Sequence, residues 1–318
     1  MTNLTYGVFL PFYALPATTD AAQRFSQLKA IVQQCEASGY STVWLDDHLM
    51  YGSTPILETW TTLAALAAVT KSVRLGTMVT NAAFRNPALL AKMAATIDTI
   101  SEGRFELGIG AGVQAEEHRA YGYPFLEPSA RVERLREAIE ILKLLWTQPK
   151  ATYHGTYCSI TEATCEPKPL QKPHPPITVG GSGENHTLKV TAQHANRADF
   201  GYLNTIEDYK HKLESLKNHC HNVGRNFGDI QKTAWPAGQI ITSKNRDAAE
   251  EKARRLKPQG VTIEEFGSYS FIGTADELQL SIQQYTELGA SHIMLYFPDL
   301  PDTSGLQAFA QTHIKPAN

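Results

Sequence analysis

The sequence has few of the features that mark metal-binding, redox-active or disulfide-linked proteins. Only four of its 318 residues are cysteine. Cys35, Cys158, Cys165 and Cys220 follow neither a metal-ligand spacing nor a redox-motif spacing. We therefore expect four reduced thiols and no bound metal.

Long apolar runs and a bias in charge are also missing. No segment approaches the roughly 20 apolar residues that span a bilayer. The stretch MTNLTYGVFLPF has no basic segment followed by an apolar one, so it does not predict a signal peptide. A formal charge of −3 gives no electrostatic footprint for nucleic acid or an anionic membrane. With 42% hydrophobic and 19% charged residues, the composition predicts a soluble, cytoplasmic protein with a large core.

Segments typical of strands and of helices alternate along the whole chain. Eight strands alternating with helices predict an α/β protein, a (β/α)8 TIM barrel, as one domain over residues 1–318. A doubly wound open sheet split into two domains is the alternative, but no linker divides the chain. The eight predicted strands are LTYGVFLP, TVWL, VRLGTMV, RFELGIG, ITVGG, ADFGYL, AGQIIT and HIMLYF.

Two segments interrupt this alternation and predict insertions after strands 4 and 7. Residues 149–175 have the pattern of a hairpin followed by a proline-stiffened connector. Residues 257–273 have no regular pattern. Two helix starts are well marked: Asn86 precedes a proline at the first helical position, and Thr274 with Glu277 forms a capping box.

Three ionisable residues, Asp46, Asp47 and His48, directly follow the second predicted strand. Buried charge must be paired or neutralised, and active sites of such barrels lie at the carboxyl ends of the strands. One aspartate could cap the next segment while the other pairs with an arginine. An imidazole beside a carboxylate also suits proton transfer near neutral pH, and this is the function we favour.

Two glycine-rich turns follow the fourth and fifth predicted strands. GIGAGVQAEE and VGGSGENH each lead from a strand into a helix, and backbone N–H groups in such turns can hold a phosphate. Tight strand-to-helix turns also need glycine for steric reasons. Two such turns on neighbouring strands favour a phosphate-bearing ligand. The first is not a dinucleotide motif, because Val113 stands at the third glycine position.

Other polar clusters have simpler interpretations. His219 and His221 lie two residues apart on a predicted helix, so they point to different faces and do not indicate a metal site. Glu116, Glu117 and His118 begin a predicted helix, where acidic residues are stabilised by the helix dipole.

The run FRNPALLAKMAATIDTISEGRFELGIGAGVQAEEHRAYGYPF, residues 84–125, resembles the bacterial luciferase-like flavin and deazaflavin oxidoreductases. So do VWLDDHL, PPITVGGSGENHTLKVTAQHAN and FIGTADELQLSIQQYTELGASHIMLYF. The likeness is greatest to the branch that binds coenzyme F420, which includes methylenetetrahydromethanopterin reductase and F420-dependent glucose-6-phosphate dehydrogenase. It implies a (β/α)8 barrel and a homodimer that packs through helices near strands two and three.

The resemblance also implies site residues. Asp47 and His48 match the Asp-His pair that faces the deazaflavin ring, as catalytic residues. Thr77-Met78 match a bulge in strand three, where the family often has a non-prolyl cis peptide that supports the ring. The residues that match the two turns on the cofactor tail and phosphate are Ala111, Gly112, Val113, Gly180, Gly181 and Ser182.

Three departures from the family bear on the function. Val113 stands where the sugar-phosphate dehydrogenases have a catalytic glutamate, and strand one lacks the acid of the reductases, so neither substrate is expected. Ala111 stands where luciferases bind the FMN phosphate with an arginine, which favours F420. The resemblance thus implies an F420-dependent oxidoreductase acting on a small organic substrate. The alternatives are an FMN-dependent monooxygenase and a flavin- or deazaflavin-binding protein without turnover.

Substrate specificity in such barrels comes from loops, here 11–19, 149–175 and 257–273. Their sequences carry no diagnostic pattern. Tyr13, Tyr51, Tyr269 and Phe271 either line a pocket for a flat or apolar substrate or pack within the insertions.

Overall fold

Eight parallel strands form a closed barrel in the computed structural model, which describes residues 4–15 and 20–314. Each strand pairs with its neighbour in the chain, and the eighth pairs with the first. The predicted (β/α)8 barrel is therefore confirmed. Its strands are Thr5–Leu10 (β1), Thr42–Leu45 (β2), Arg74–Thr77 (β3), Phe105–Gly110 (β4), Ile177–Gly180 (β5), Arg197–Asp199 (β6), Gln231–Ala234 (β7) and His292–Leu295 (β8).

Helices follow the strands and bury an apolar face against the barrel. The predicted helix starts are confirmed: the Asn86 side chain accepts from Ala88 N at 2.9 Å, and Thr274 with Glu277 forms a capping box. The helices that pack around the barrel are Ala21–Ala37 (α1), Thr59–Val69 (α2), Pro87–Ile100 (α3), Pro128–Thr147 (α4), Thr187–His194 (α5), Ile206–Asn222 (α6), Ala275–Glu287 (α7) and Ser304–His313 (α8). No helix among the described residues is long and apolar enough to cross a bilayer.

The seventh strand is not the predicted one. AGQIIT does not enter the barrel; its residues Gln239–Thr242 pair with Ser270–Gly273 in a separate two-stranded parallel sheet. The barrel strand is the preceding, more polar Gln231–Ala234. Lys232 fits there because its Nζ donates to Phe227 O at 2.7 Å and lies 3.8 Å from the centre of the Phe227 ring. The aliphatic part of the Lys232 side chain can therefore pack within the protein, while its ammonium group is paired with Phe227.

Both predicted insertions are present, and the second is larger than expected. Residues 149–175 contain an antiparallel hairpin of Ala151–His154 and Ser159–Ala163. The excursion after β7 runs from residue 235 to 274 and adds helices Arg246–Leu256 and Ile263–Tyr269. Lys252 of this excursion is anchored to Asp299, with 2.6 Å between Nζ and Oδ2.

A neutral histidine and paired charges fill the lower barrel. Burial lowers the pKa of His292 to about 3, so its Nε2 can accept from Trp44 Nε1 at 3.2 Å. The buried Glu106 carboxylate pairs with both Arg74 and Arg197. Buried charges of this kind are tolerated because each has a partner.

Close packing between strands explains several glycines of β4 and β5. A Cβ on Gly108 would lie 1.8 Å from Thr77 O, a contact that backbone atoms cannot relieve. A Cβ on Gly110 or on Gly180 would lie 2.7 Å from a methyl group of Val79. These glycines therefore make room for the Val79 side chain at the top of the barrel, which is a structural reason for part of the glycine pattern.

We predict that Gly108→Ala destabilises the protein by about 3 kcal/mol or more, because overpacking against fixed backbone is relieved only by moving a strand. The matched control is Gly267→Ala, at an exposed helical position where a Cβ would meet nothing within 4 Å. That control should be neutral or stabilise by about 0.5–1 kcal/mol. Urea unfolding measures both, and equal effects of the two substitutions would contradict the packing argument.

Candidate active site

A cavity of about 680 Å³ opens at the carboxyl ends of the barrel strands. Its volume lies within the range usual for small-molecule sites. Residues from the loops after β1 to β8 contribute to its wall. The lining includes Phe9, Tyr13, Asp47, His48, Met78, Val79, Asn81, Ala111, Gly112, Val113, Glu117, Gly180, Gly181, Ser182, Asp199, Phe200, Tyr202, Trp235 and Tyr296.

Asp46 joins the loop after β2 to the loop after β1. Its Oδ1 accepts from Phe12 N at 2.9 Å, and its carbonyl oxygen accepts from Thr59 Oγ1 at 2.6 Å. Its Oδ2 is buried and has no hydrogen-bond partner among the described residues. Burial raises the pKa of Asp46 to about 6. Asp46 thus holds the loop after β1 and does not cap the segment that follows β2, where Glu58 is the N-cap of α2.

Asp47 forms a two-point ion pair with Arg85. The distances are 2.6 Å from Oδ2 to Nη1 and 3.0 Å from Oδ1 to Nη2, and Arg85 also reaches Glu58 Oε1 at 2.7 Å. Burial raises the pKa of Asp47, and the guanidinium opposes that rise. Because Arg85 occupies both oxygens, Asp47 is fixed in orientation at the cavity wall.

His48 lines the cavity and pairs with Glu117, which the sequence analysis attributed to a helix start. Nδ1 of His48 lies 3.1 Å from Glu117 Oε2. Glu117 also accepts from the N–H groups of Leu49 and Met50. The hydrogen bond to Glu117 raises the pKa of His48. Although burial opposes it, the hydrogen bonds from His48 and Leu49 hold the pKa of Glu117 below its ordinary value.

The Glu116-Glu117-His118 cluster therefore does more than favour a helix dipole. In helix Ala115–Ala120, Glu116 is exposed, whereas Glu117 and His118 are buried. Nε2 of His118 lies 2.9 Å from Asn81 Nδ2, and Asn81 lines the cavity. No spacing within the cluster indicates these partners, because they lie 69 and 37 residues away in the chain.

The cis peptide bond at the end of β3 lies one residue later in the chain than expected. The non-prolyl cis peptide joins Met78 to Val79, not Thr77 to Met78. Met78 and Val79 line the cavity. Thr77 does not: its fully buried hydroxyl donates to Gly108 O at 2.6 Å, joining β3 to β4. Close strand pairing at Gly108 leaves Thr77 directed into the wall.

The glycine-rich turns after β4 and β5 both reach the cavity. Gly112 has a φ of +79°, and a Cβ there would lie 2.5 Å from the Asn81 amide. Among the described residues, the N–H groups of Gly112, Val113 and Ser182 donate no hydrogen bond. Gly181 N is engaged by Asp199 O at 2.8 Å. The two turns thus contain N–H groups without an acceptor among the described residues.

The four aromatic residues that the sequence analysis named in the loops lie in two different places. Tyr13 lines the cavity and stacks on Tyr51, with ring centres 4.5 Å apart. Tyr269 and Phe271 belong to the excursion after β7 and are not part of the cavity wall. The part of loop 11–19 that covers residues 16–19 lies outside the described residues.

Metal ligation has no candidate group in the part of the chain that the structure describes. No set of three or more His, Cys, Asp or Glu side chains there is placed to hold a metal ion. Nε2 of His219 instead lies 2.7 Å from Glu184 O.

The fold and the cavity define a class of protein: a parallel (β/α)8 barrel enzyme with a cofactor-sized site at the carboxyl ends of its strands. The sequence model of luciferase-like monooxygenases matches residues 4–294. The chain belongs to this family, and it is an oxidoreductase.

Known proteins similar to this chain include dehydrogenases and a monooxygenase. An F420-dependent glucose-6-phosphate dehydrogenase of Kineococcus radiotolerans is 29% identical over 91% of this chain and 93% of its own length. An FMNH(2)-dependent dimethylsulfone monooxygenase of Pseudomonas putida is 34% identical over 52% of this chain and 45% of its own length. An F420-dependent secondary alcohol dehydrogenase, solved with an F420-acetone adduct, shares the fold with a TM-score of 0.80 at 20% identity, over 97% of this chain and 98% of that one.

We predict that Glu117→Gln lowers the pKa of His48, because it removes the carboxylate that stabilises the imidazolium. The pair stabilises the wild-type fold below the ordinary histidine pKa of 6.5, and this contribution is lost as the pH rises through the raised pKa. An NMR titration of the His48 Cε1–H signal measures the shift. Glu116→Gln, at the exposed neighbour, is the control. An unchanged His48 titration in Glu117→Gln would contradict the pairing.

Proposed function

We propose that this chain is an F420-dependent oxidoreductase acting on a small organic substrate. The observation that carries the proposal is the single cavity that brings the His48–Glu117 pair together with the unpaired N–H donors of two glycine-rich turns. Similarity to F420-dependent relatives supports it.

The residues present fit a deazaflavin cofactor. Asp47, His48 and Met78 would contact its ring, and the free N–H groups of the turns would hold its phosphate-bearing tail. A Cβ at position 112 would fill this space and strike Asn81, so glycine keeps the turn open. When bound, the deazaflavin supplies hydride transfer. The residues proposed for the tail are Ala111, Gly112, Val113, Gly180, Gly181 and Ser182.

In this proposal His48 carries the proton. Its Nδ1 faces a carboxylate that can only accept, so Nδ1 is protonated, and the raised pKa keeps the imidazolium available near neutral pH. Glu117 fixes the ring orientation. Asp47, with both oxygens bound to Arg85, positions the loop and would contact the cofactor without releasing a proton.

An FMN-dependent monooxygenase is the second candidate. The similarity to an FMNH(2)-dependent enzyme favours it. Against it, Ala111 offers no guanidinium for the FMN phosphate. A protein that binds either cofactor without turnover is the third, and the proton-carrying His48–Glu117 pair argues against it.

We also propose a homodimer, as the resemblance implies, in the cytoplasm, where the four cysteines would stay reduced. The exposed apolar side chains of Val69 on α2 and of Leu89 and Ile100 on α3 support an interface near strands two and three.

Equilibrium binding of F420 and of FMN to the same protein preparation tests the proposed cofactor. We expect F420 to bind at about micromolar concentration or more tightly, and FMN at least about tenfold more weakly, a difference of about 1.4 kcal/mol. Cofactor fluorescence measures both. A reversed preference would favour the monooxygenase, and oxygen consumption with reduced FMN would then be the decisive assay.

We predict that His48→Ala lowers kcat by about 100-fold or more, as expected for loss of a general acid or base. The F420 dissociation constant should change by much less, about tenfold at most, because the turns that hold the tail remain. Steady-state kinetics and fluorescence titration measure the two quantities. Equal losses in both would show that His48 binds the cofactor and does not carry the proton.

A further inference from the structure

We infer that the cavity selects an uncharged substrate with an aromatic or alicyclic ring and excludes substrates that carry a phosphate or carboxylate. The inference rests on the proposed function in one respect: the substrate shares this cavity with the cofactor. It concerns the part of the cavity wall formed by β1, β6, β7 and β8 and the loops that follow them.

The part of the wall formed by β1, β6, β7 and β8 offers no positive charge to an anionic substrate. Asp47, Glu117 and Asp199 all line the cavity, and none of the described lining residues is lysine or arginine. The arginines behind the wall are occupied: Arg85 by Asp47, and Arg131 by the carbonyl oxygens of Gly112 and Leu126. A phosphate or carboxylate against the wall formed by β1, β6, β7 and β8 would lose hydration without gaining a cationic partner there, because His48, which can carry a positive charge, lies on the loop after β2.

Asp199 is the acid in this wall without a cation on its oxygens. Its Oδ1 accepts from Gly201 N at 2.7 Å, and both oxygens lie 3.2 Å from Trp235 Nε1. The side chain is buried, and its partners are neutral. Burial raises the pKa of Asp199, so the group can share a hydrogen bond with a polar group of a neutral ligand but offers no positive charge to an anion.

Aromatic side chains form the rest of this wall. The rings of Phe9 and Trp235 meet edge to face with centres 5.5 Å apart, and those of Phe9 and Tyr296 with centres 6.2 Å apart. Tyr202 and Phe200 extend the surface next to Asp199. Fixed aromatic edges and faces of this kind favour flat or alicyclic apolar rings.

The substrate class inferred for this chain differs from that of similar proteins. Relatives named glucose-6-phosphate dehydrogenases act on an anionic sugar. In this chain Val113 is an apolar, 78% exposed residue at the cavity rim. Sequence similarity therefore supports the same class of cofactor, while the wall of this cavity supports a different class of substrate.

A matched pair of probes tests the inference. Acetophenone and 4-acetylbenzoate share a ring and a ketone and differ by one carboxylate, and glucose 6-phosphate is the third probe. Ligand-observed NMR and calorimetry measure binding with and without F420, so the readout does not depend on turnover. We expect acetophenone to bind at least about tenfold more tightly than 4-acetylbenzoate, and glucose 6-phosphate to bind no better than the benzoate.

Equal or tighter binding of 4-acetylbenzoate by the wild type, or tight binding of glucose 6-phosphate, would overturn the inference. Neutral preference without F420 binding would refute the proposed cofactor and leave the selectivity standing. F420 binding with anion preference would do the reverse.

Discussion

The site depends on one tripeptide whose three side chains bind three different loops. Asp46 holds the loop after β1 through Phe12 N, Asp47 holds the loop after β3 through Arg85, and His48 holds the loop after β4 through Glu117. Strands of a parallel barrel are fixed by their ladders, but the loops beyond them are not. These polar contacts supply the missing constraint, and they explain why β2 ends in three ionisable residues.

These contacts give the three residues of the tripeptide different roles. Asp46 and Asp47 are buried and engaged, so they serve geometry. His48 is the member of the tripeptide that both lines the cavity and has a raised pKa caused by a hydrogen-bonded carboxylate. The turns after β4 and β5, in which some N–H groups have no acceptor among the described residues, line the same cavity. In the proposed function, proton transfer by His48 and binding of the cofactor phosphate would therefore use different residues of one cavity.

Patterns confined to one segment could be predicted from the sequence, and pairings across the chain could not. The barrel, the hairpin and two helix caps could be predicted from the spacing of apolar residues within each segment and from the capping residues. His48 could be placed at the cavity because active sites of such barrels lie at the carboxyl ends of the strands. The seventh strand was predicted wrongly because Lys232 makes its sequence look too polar for a buried strand. In the structure the Lys232 ammonium group donates to Phe227 O, so the strand can be buried. The role of Glu117 was missed because its partner His48 lies 69 residues away in the chain. Its position at the start of a helix was a sufficient explanation from the local sequence.

The most direct measurement is the NMR response of the tryptophan indoles and of His48 to added F420. Trp235 lines the cavity, whereas Trp146 donates to Ala91 O on the outer helices. If the cofactor binds where we propose, the Trp235 indole and the His48 Cε1–H signals shift in step with saturation, and the Trp146 indole does not. Saturable F420 binding that moves Trp146 and leaves Trp235 and His48 unchanged would contradict the account.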